Sequence, residues 1–243
     1  MPTTNIAIVA ALDREISSLV KTWHACERQH SGHSFRFFEG ENAVVVCGGI
    51  GAEAARRAAE AIIALYDPVL IYSAGFAGAT DATLEIADIV IPRCVIDAND
   101  GSSADTGMGE GVLVSFASVA SPQQKAKLHN AYNATAVDME AAAVAKAAAA
   151  RVIRFAAVKA ISDQSDCALP PLDKFIAADG TFNTVRFVLF VFPRPWLWRD
   201  VIRLQKNSAK ASRALCECLR GIVTESVKPG QFAENTLRVI SRR

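Results

Sequence analysis

Two stretches indicate the architecture of this chain most clearly: Ala136-Val-Asp-Met-Glu-Ala-Ala-Ala-Val-Ala145 and Phe155-Ala-Ala-Val-Lys-Ala-Ile-Ser-Asp163. The alanine-rich end of the first is a strong helix former, and Asp138 and Glu140 stand at its first turn, where the helix dipole favours negative charge. The second stretch is apolar and predicts a buried strand with Asp163 at its carboxyl end. Because open α/β sheets bind ligands at that edge, we expect the carboxylates of Glu140 and Asp163 to reach one crevice.

Apolar, strand-like runs alternate with helical patterns along the rest of the chain. The runs cover 6–10, 43–47, 69–73, 86–96, 112–119 and 152–161, and the helical patterns cover 12–23, 51–66, 122–132 and 139–151. Strands that are apolar on both faces and separated by helices predict a three-layer α/β/α sandwich. Residues 35–39 and 43–47 flank Gly40-Glu41-Asn42, which predicts a hairpin and therefore a mixed sheet. We expect residues 1–243 to form a single domain.

Composition points to a small-molecule ligand. The net charge is +1, which favours neither nucleic acid nor another highly charged partner. The six cysteines form no CxxC pair and fall in apolar runs, which indicates reduced, buried thiols and a cytoplasmic protein. We expect no signal peptide, because residues 1–5 carry no basic segment, and no membrane span, because no apolar run reaches ~20 residues.

Four blocks carry a resemblance to a known family. They are Ile8–Glu15, Ser73–Ala79 and the two stretches quoted above, and they occur in the order typical of the purine nucleoside phosphorylase and methylthioadenosine/adenosylhomocysteine nucleosidase superfamily. Together they span roughly residues 5–166. The resemblance implies cleavage of the N-glycosidic bond of a purine nucleoside, with no cofactor. A weaker similarity, carried by 163–171, Asp179-Gly180 and 194–198, is to the hopanoid-associated phosphorylases.

The resemblance assigns two catalytic carboxylates. Breaking the bond between a purine and ribose passes through an oxocarbenium-like state, so the leaving base must be protonated and the sugar cation stabilised. Asp163 matches the acid that gives a proton to purine N7, and Glu15 matches the glutamate that activates water in the nucleosidases. In isolation, Asp163 could equally be a helix N-cap and Glu15 part of a solvated helix face.

Five further positions match the substrate-binding residues of the family. Glu140 corresponds to the carboxylate that accepts hydrogen bonds from the ribose hydroxyls, and Met139 to the apolar side chain on the sugar face. Ile50, in a second glycine-containing loop, is expected to touch the ligand. Ser118 and Val119 fall near the positions that contact the purine, where they imply an apolar wall.

A glycine-rich segment and one lysine bear on the nucleophile. We expect Gly75, Phe76, Ala77 and Gly78 to form a turn in which the glycines let backbone amides approach a ligand closely. The resemblance implies that this turn lines the base and ribose pocket. Phosphorylases carry a serine where Phe76 stands and an arginine shortly before it. Lys159 replaces an arginine of the nucleosidases and offers a point charge instead of a fork. These departures favour water over phosphate.

The sequence therefore predicts hydrolysis of a 5′-substituted adenosine, such as methylthioadenosine or adenosylhomocysteine. Two alternatives stay open: a phosphorylase with phosphate as co-substrate, including one that releases adenine from adenosylhopane, and a nucleoside-binding sensor without turnover. We expect a homodimer and no nucleic-acid partner. The aromatic run 187–198 predicts a core helix, a dimer face or, for a lipid nucleoside, a weak membrane contact.

Two other motifs suggest binding sites that we do not favour. Gly49-Ile50-Gly51 imitates a dinucleotide fingerprint, but the next strand ends in Tyr72-Ser73-Ala74 and not in the acid that would hold a ribose. The residues His24, Cys26, His30 and His33 form a loose cluster in a polar segment, which we interpret as a solvated loop and not as a metal site.

Overall fold

The computed structural model describes residues 6–177 and 179–225, which form a sheet of eleven strands flanked by helices. The strands are β1 Ile6–Ala10, β2 His24–His30, β3 His33–Glu39, β4 Ala43–Cys47, β5 Leu70–Ala79, β6 Ile89–Val90, β7 Cys94–Asp97, β8 Ser103–Asp105, β9 Val112–Ser115, β10 Ala134–Asp138 and β11 Arg154–Asp163. The α-helices are α1 Asp13–Ile16, α2 Ala52–Tyr66, α3 Pro122–Tyr132, α4 Ala141–Ala149, α5 Thr184–Val191 and α6 Pro195–Glu225. A short 3₁₀ helix covers Leu172–Phe175.

The sheet is mixed. β1 pairs in parallel with β4 and β5, and β11 runs parallel to β5 on its other edge. β2, β3 and β4 form an antiparallel meander, so the predicted hairpin around Gly40-Glu41-Asn42 is confirmed. β10 runs antiparallel to β5 but parallel to β9.

Helices cover both faces of the sheet, because the strands are apolar on both. In β1, Ala7 and Val9 pack into the cluster that contains α2 and α4, whereas Ile6 and Ile8 pack into the cluster that contains α1 and α6. This alternation follows the two-residue period of a strand. The predicted three-layer α/β/α sandwich is thus confirmed.

The first helix is much shorter than the helical pattern 12–23 predicts. It ends at Ile16 because tertiary contacts replace its next turn. Ser212 Oγ in α6 donates to the carbonyl of Arg14 at 2.8 Å, and Cys216 Sγ contacts that of Glu15 at 3.2 Å. α6 therefore satisfies carbonyls that a longer helix would have used.

Four strand assignments differ from the sequence prediction. The histidine-containing segment is the edge strand β2 and not a loop. The segment Gly75–Gly78, expected as a turn, continues β5, and β8 lies between the predicted strand-like runs 86–96 and 112–119. β10 was not predicted at all, because Ala-Thr-Ala-Val-Asp runs into the alanine-rich helix without a turn residue between them.

In the carboxyl-terminal part, α5 and α6 are separated by a break that contains Pro193 and Arg194. Within the ranges described above, no helix is long and apolar enough to cross a membrane. All six cysteines are free, as expected, but only Cys216 is fully buried. The predicted burial of the other five was wrong, because they are partly exposed.

Candidate active site

The site begins at an interruption in the sheet beside β5. One edge of this strand pairs with β1 at Leu70–Ser73 and with β10 at Gly78–Ala79. Across the described part of the chain, no strand pairs with that edge between residues 74 and 77. The carboxylate of Glu15 reaches this gap, where its Oε1 accepts a hydrogen bond from the Phe76 amide at 3.4 Å. The missing pairing leaves room for a ligand.

A cavity of about 150 Å³ occupies this region and collects most of the predicted site. The predicted residues that line it are Glu15, Ile50, Phe76, Ala77, Gly78, Ser118, Val119, Met139, Glu140 and Asp163. They come from the ends of β1, β4, β10 and β11, from β5 itself and from the loop after β9. Gly75 and Lys159, which the sequence also placed at the site, do not line the cavity.

Glu15 is buried and held mainly by the backbone. Its Oε2 accepts hydrogen bonds from the amides of Ala11 and Leu12, each at 3.1 Å. Burial raises the pKa of Glu15, although the amides and the nearby ammonium of Lys159 oppose the rise. Gly75 explains why the carboxylate fits, since a Cβ there would lie 3.2 Å from Glu15 Oε2. Gly75 thus makes room for Glu15 instead of binding the ligand directly.

Asp163, at the end of β11, is buried beside a full positive charge. Its Oδ2 accepts from Lys125 Nζ, and its Oδ1 accepts from Ser162 Oγ at 2.8 Å. A Cβ at Gly78 would lie 2.8 Å from Asp163 Oδ2 and 2.9 Å from Lys125 Cε. Glycine at this position therefore lets β5 pass under the ion pair without displacing either side chain.

Lys125 also lines the cavity and was not predicted from the sequence. It lies on α3, is fully buried, and also donates to the carbonyl of Gln164 at 2.6 Å. A weak signal existed: α3 begins at a capping box formed by Ser121 and Gln124, which sets the phase of the helix. In that phase Lys125 falls three residues before the buried Leu128, on the face turned to the protein.

Glu140 lies at the start of α4 and bridges two loops across the cavity. Its Oε1 accepts from the Gly51 amide at 2.8 Å, and its Oε2 from the Met139 amide at 3.3 Å. Burial, and then the nearby charge of Asp138, raise the pKa of Glu140 to about 7. Near neutral pH this carboxyl can therefore accept or donate hydrogen bonds.

Lys159 lies behind the cavity wall in a buried polar network. Its Nζ donates to Asp138 Oδ2 at 2.8 Å and to Ser73 Oγ at 3.0 Å. Burial alone would lower the pKa of Lys159, but the carboxylates of Asp138 and Glu140 outweigh it, and the net shift is upward. Asp138 also accepts from Ser115 Oγ at 2.6 Å and from the Ala141 amide at 2.9 Å. Lys159 thus supports the loop that carries Glu140.

A wider groove of about 770 Å³ adjoins the cavity. The two share Ala11, Leu12 and Arg14, so a ligand in the cavity can extend into the groove across these residues. No group of three or more histidine, cysteine or acidic side chains suited to a metal ion occurs among residues 6–177 and 179–225. His30 and His33 instead pair across the turn between β2 and β3.

Comparison with known proteins agrees with this arrangement. The sequence model described as "Phosphorylase superfamily" matches residues 5–122 and 108–184, which is most of the chain. The chain belongs to this superfamily. The family resemblance drawn from the sequence is therefore confirmed.

Individual relatives are more distant. A 5′-methylthioadenosine/S-adenosylhomocysteine nucleosidase of Marinomonas sp. is 27% identical over 95 residues, which is 37% of this chain. The match spans 41% of that relative's own length.

Two solved structures from Helicobacter pylori share the fold. The 5′-methylthioadenosine/S-adenosyl homocysteine nucleosidase has a TM-score of 0.70 at 18% identity, over 93% of this chain and 100% of its own. The futalosine hydrolase has a TM-score of 0.69 at 18% identity, over 92% and 98%.

Proposed function

We propose that this protein hydrolyses the N-glycosidic bond of a purine nucleoside, most suitably a 5′-substituted adenosine. One observation carries the proposal: two buried carboxylates, Glu15 and Asp163, line the same cavity from different sides. Glu15 lies against Gly75 and Asp163 against Gly78, two positions of β5 that are roughly 10 Å apart along the strand. That separation accommodates a sugar and a water molecule between an acid and a base.

Asp163 is the proposed acid. When protonated, it would give its proton to N7 of the leaving purine, which makes the base a neutral leaving group. Lys125 and Ser162 hold both oxygens of the carboxyl group and so fix its direction. The charge of Lys125 would stabilise the carboxylate that remains after proton transfer. We therefore assign Lys125 a positioning role.

Glu15 is the proposed base. Two amides and the Phe76 amide anchor its carboxylate at the gap in the sheet, where a water molecule could reach the anomeric carbon of a bound sugar. Its buried setting raises the pKa, which makes the ionised form a better proton acceptor than an exposed glutamate. The water proton would pass to Glu15 as the new C–O bond forms.

The remaining predicted residues would bind the nucleoside. Glu140 would accept hydrogen bonds from the ribose hydroxyls after releasing the Gly51 amide, and Met139 would pack on the sugar. Ser118 and Val119 would form the wall beside the purine. A 5′ substituent would extend past Leu12 into the adjoining groove. The connection between cavity and groove thus supports a 5′-substituted substrate.

The contacts favour water over phosphate. In the described part of the chain, Arg14 is the only arginine that lines the cavity, and Lys159 is engaged by Asp138 and Ser73. Phosphate sites usually combine fixed arginines with several free amides. The Phe76 amide, a candidate donor for phosphate, already contacts Glu15.

We also propose that all 243 residues act as one catalytic domain, in the cytoplasm and as a homodimer. The six free thiols support a reducing compartment. Size-exclusion chromatography with light scattering would test the dimer, and a monomeric mass would rule it out.

The activity is tested by incubating the protein with methylthioadenosine, with and without phosphate, and measuring free adenine. We expect adenine without phosphate and no acceleration when phosphate is added. A panel of 5′-substituted adenosines then identifies the substituent that the groove prefers. Acceleration by phosphate would establish the phosphorylase alternative. Binding of these nucleosides without any release of adenine would establish a sensor.

A further inference from the structure

Large apolar side chains are exposed together on α5 and on the first two turns of α6. The described residues expose nine such side chains, and seven of them lie between residues 185 and 202. We call these seven the α5–α6 patch: Val185, Val188, Leu189, Phe192, Trp196, Trp198 and Ile202. Their exposed fractions range from 47% to 74%. Scattered single residues of this kind are ordinary, but a contiguous group marks a binding surface.

Basic residues surround the patch. Residues 184–206 contain five arginines and lysines and one acid, Asp200, so the segment carries a net charge of +4, whereas the whole chain carries +1. Asp200 is itself paired with Arg203 at 3.1 Å. Arg186 and Arg199 are exposed. Two copies of this face would therefore repel each other, and its charge is complementary to an anionic partner.

The patch rests on a firmly packed support. Phe175, in the 3₁₀ helix, lies 5.3 Å from the rings of both Phe187 and Phe190 in α5. Trp198 Nε1 donates to the carbonyl of Val191 at 3.2 Å, which joins α6 to α5 across the break. Inward-facing aromatic rings thus hold the helices, and the outward-facing apolar side chains are left for a partner.

We propose that the α5–α6 patch docks this protein onto the surface of an anionic lipid bilayer. Tryptophan suits the boundary between headgroups and acyl chains, and arginine binds the anionic headgroups beside it. An amphipathic face lying in the interface plane needs no spanning helix, in agreement with the helices described above. Because Leu172 of the same 3₁₀ helix lines the cavity, the docked face adjoins the candidate active site. The proposal does not depend on the reaction catalysed.

Vesicle flotation tests the docking. We expect the wild-type protein to float with vesicles of equal parts phosphatidylcholine and phosphatidylglycerol, less at high salt, and to remain unbound with phosphatidylcholine alone. The double variant Leu189→Ser/Trp196→Ser should bind the anionic vesicles at least about 10-fold more weakly. Val69→Ser is the matched control, because Val69 is 59% exposed but lies outside the patch, and it should bind like the wild type.

Tryptophan fluorescence provides a second readout. Brominated lipids should quench the emission of Trp196 and Trp198, and the variant Trp196→Phe/Trp198→Phe, which retains Trp23, should lose that quenching. Circular dichroism verifies that each variant is folded.

Two results would overturn the proposal. One is a flotation experiment in which the folded wild-type protein does not prefer anionic vesicles, either because it fails to float with them or because it binds neutral vesicles equally well. The other is a sedimentation experiment in which the wild type is a dimer and Leu189→Ser/Trp196→Ser a monomer, which would make a second copy the occupant of the patch.

Discussion

Glu15 and Asp163, two of the carboxylates that line the cavity, are buried to a similar extent but are stabilised in different ways. Asp163 faces the ammonium of Lys125 and the hydroxyl of Ser162, whereas Glu15 faces the backbone amides of Ala11, Leu12 and Phe76. A full charge compensates the first carboxylate and dipoles compensate the second. The two carboxyl groups of one cavity therefore sit in different electrostatic settings.

The largest expected effect is on the Asp163 side. Asp163→Asn keeps the shape but removes the proton, so turnover should fall about 10²-fold or more while nucleoside affinity changes little. Steady-state kinetics and calorimetric titration measure the two quantities. The control is Asp166→Asn, three residues further along the chain and exposed, which should retain wild-type turnover. Wild-type turnover in Asp163→Asn would remove this residue from the mechanism.

The Glu15 side should respond nearly as strongly. Glu15→Gln keeps an acceptor oxygen but cannot take a proton from water, and we expect hydrolysis to fall about 10²-fold. Asp13→Asn, an exposed acid in the same short helix, is the control and should behave like the wild type. Equal rates of adenine release in Glu15→Gln and the wild type would show that the two carboxylates are not an acid and base pair.

Lys125 should contribute to stability as well as to rate. Lys125→Met leaves Asp163 buried without its counter-charge, which should lower the free energy of unfolding by about 3 kcal/mol. Lys146 is the control, because its pairs with Asp97 and Asp100 are exposed and screened by water, so Lys146→Met should change stability little. Urea denaturation compares them. Similar small losses in both variants would contradict the proposed buried charge pair.

The smallest effect is a shift in the pH profile. Because burial raises the pKa of Glu15 above its ordinary value of 4.5, this base is protonated over a wider acidic range. kcat/KM should therefore rise with pH through a midpoint above 4.5. Titration of Glu140, with a pKa of about 7, could add a second change of slope to the pH profile of kcat/KM. The variant Glu140→Gln isolates the contribution of Glu15. A profile already flat at and above pH 4.5 in both proteins would contradict the raised pKa.

Local patterns predicted the parts of the site that lie at strand ends. Asp163 ends the long strand β11, and Glu140 directly precedes the regular helix α4. Their position at one edge of the sheet could therefore be inferred from the sequence. Lys125 could not, because it reaches Asp163 from a helix 38 residues earlier and depends on how α3 packs. The local periodicity of the sequence gives almost no indication of such a contact.

The predictions for the glycines of β5 and for Lys159 were wrong for physical reasons. Gly75 and Gly78 resemble turn residues, yet they lie within β5. They are glycines there because a side chain would strike Glu15 or Asp163. Lys159 was expected at the site because it replaces an arginine of the nucleosidases, but in the structure its Nζ donates to Asp138 and Ser73 in the buried network. Steric space around the glycines and charge around the lysine decided these outcomes.

The central claim, that water attacks the sugar between Glu15 and Asp163, is tested most directly by isotope transfer. The protein is incubated with a 5′-substituted adenosine and phosphate in water labelled with oxygen-18, and the sugar product is analysed by mass spectrometry. Our account predicts free sugar with one labelled oxygen at the anomeric carbon, at equal rates with and without phosphate. An unlabelled sugar 1-phosphate as the product would contradict it.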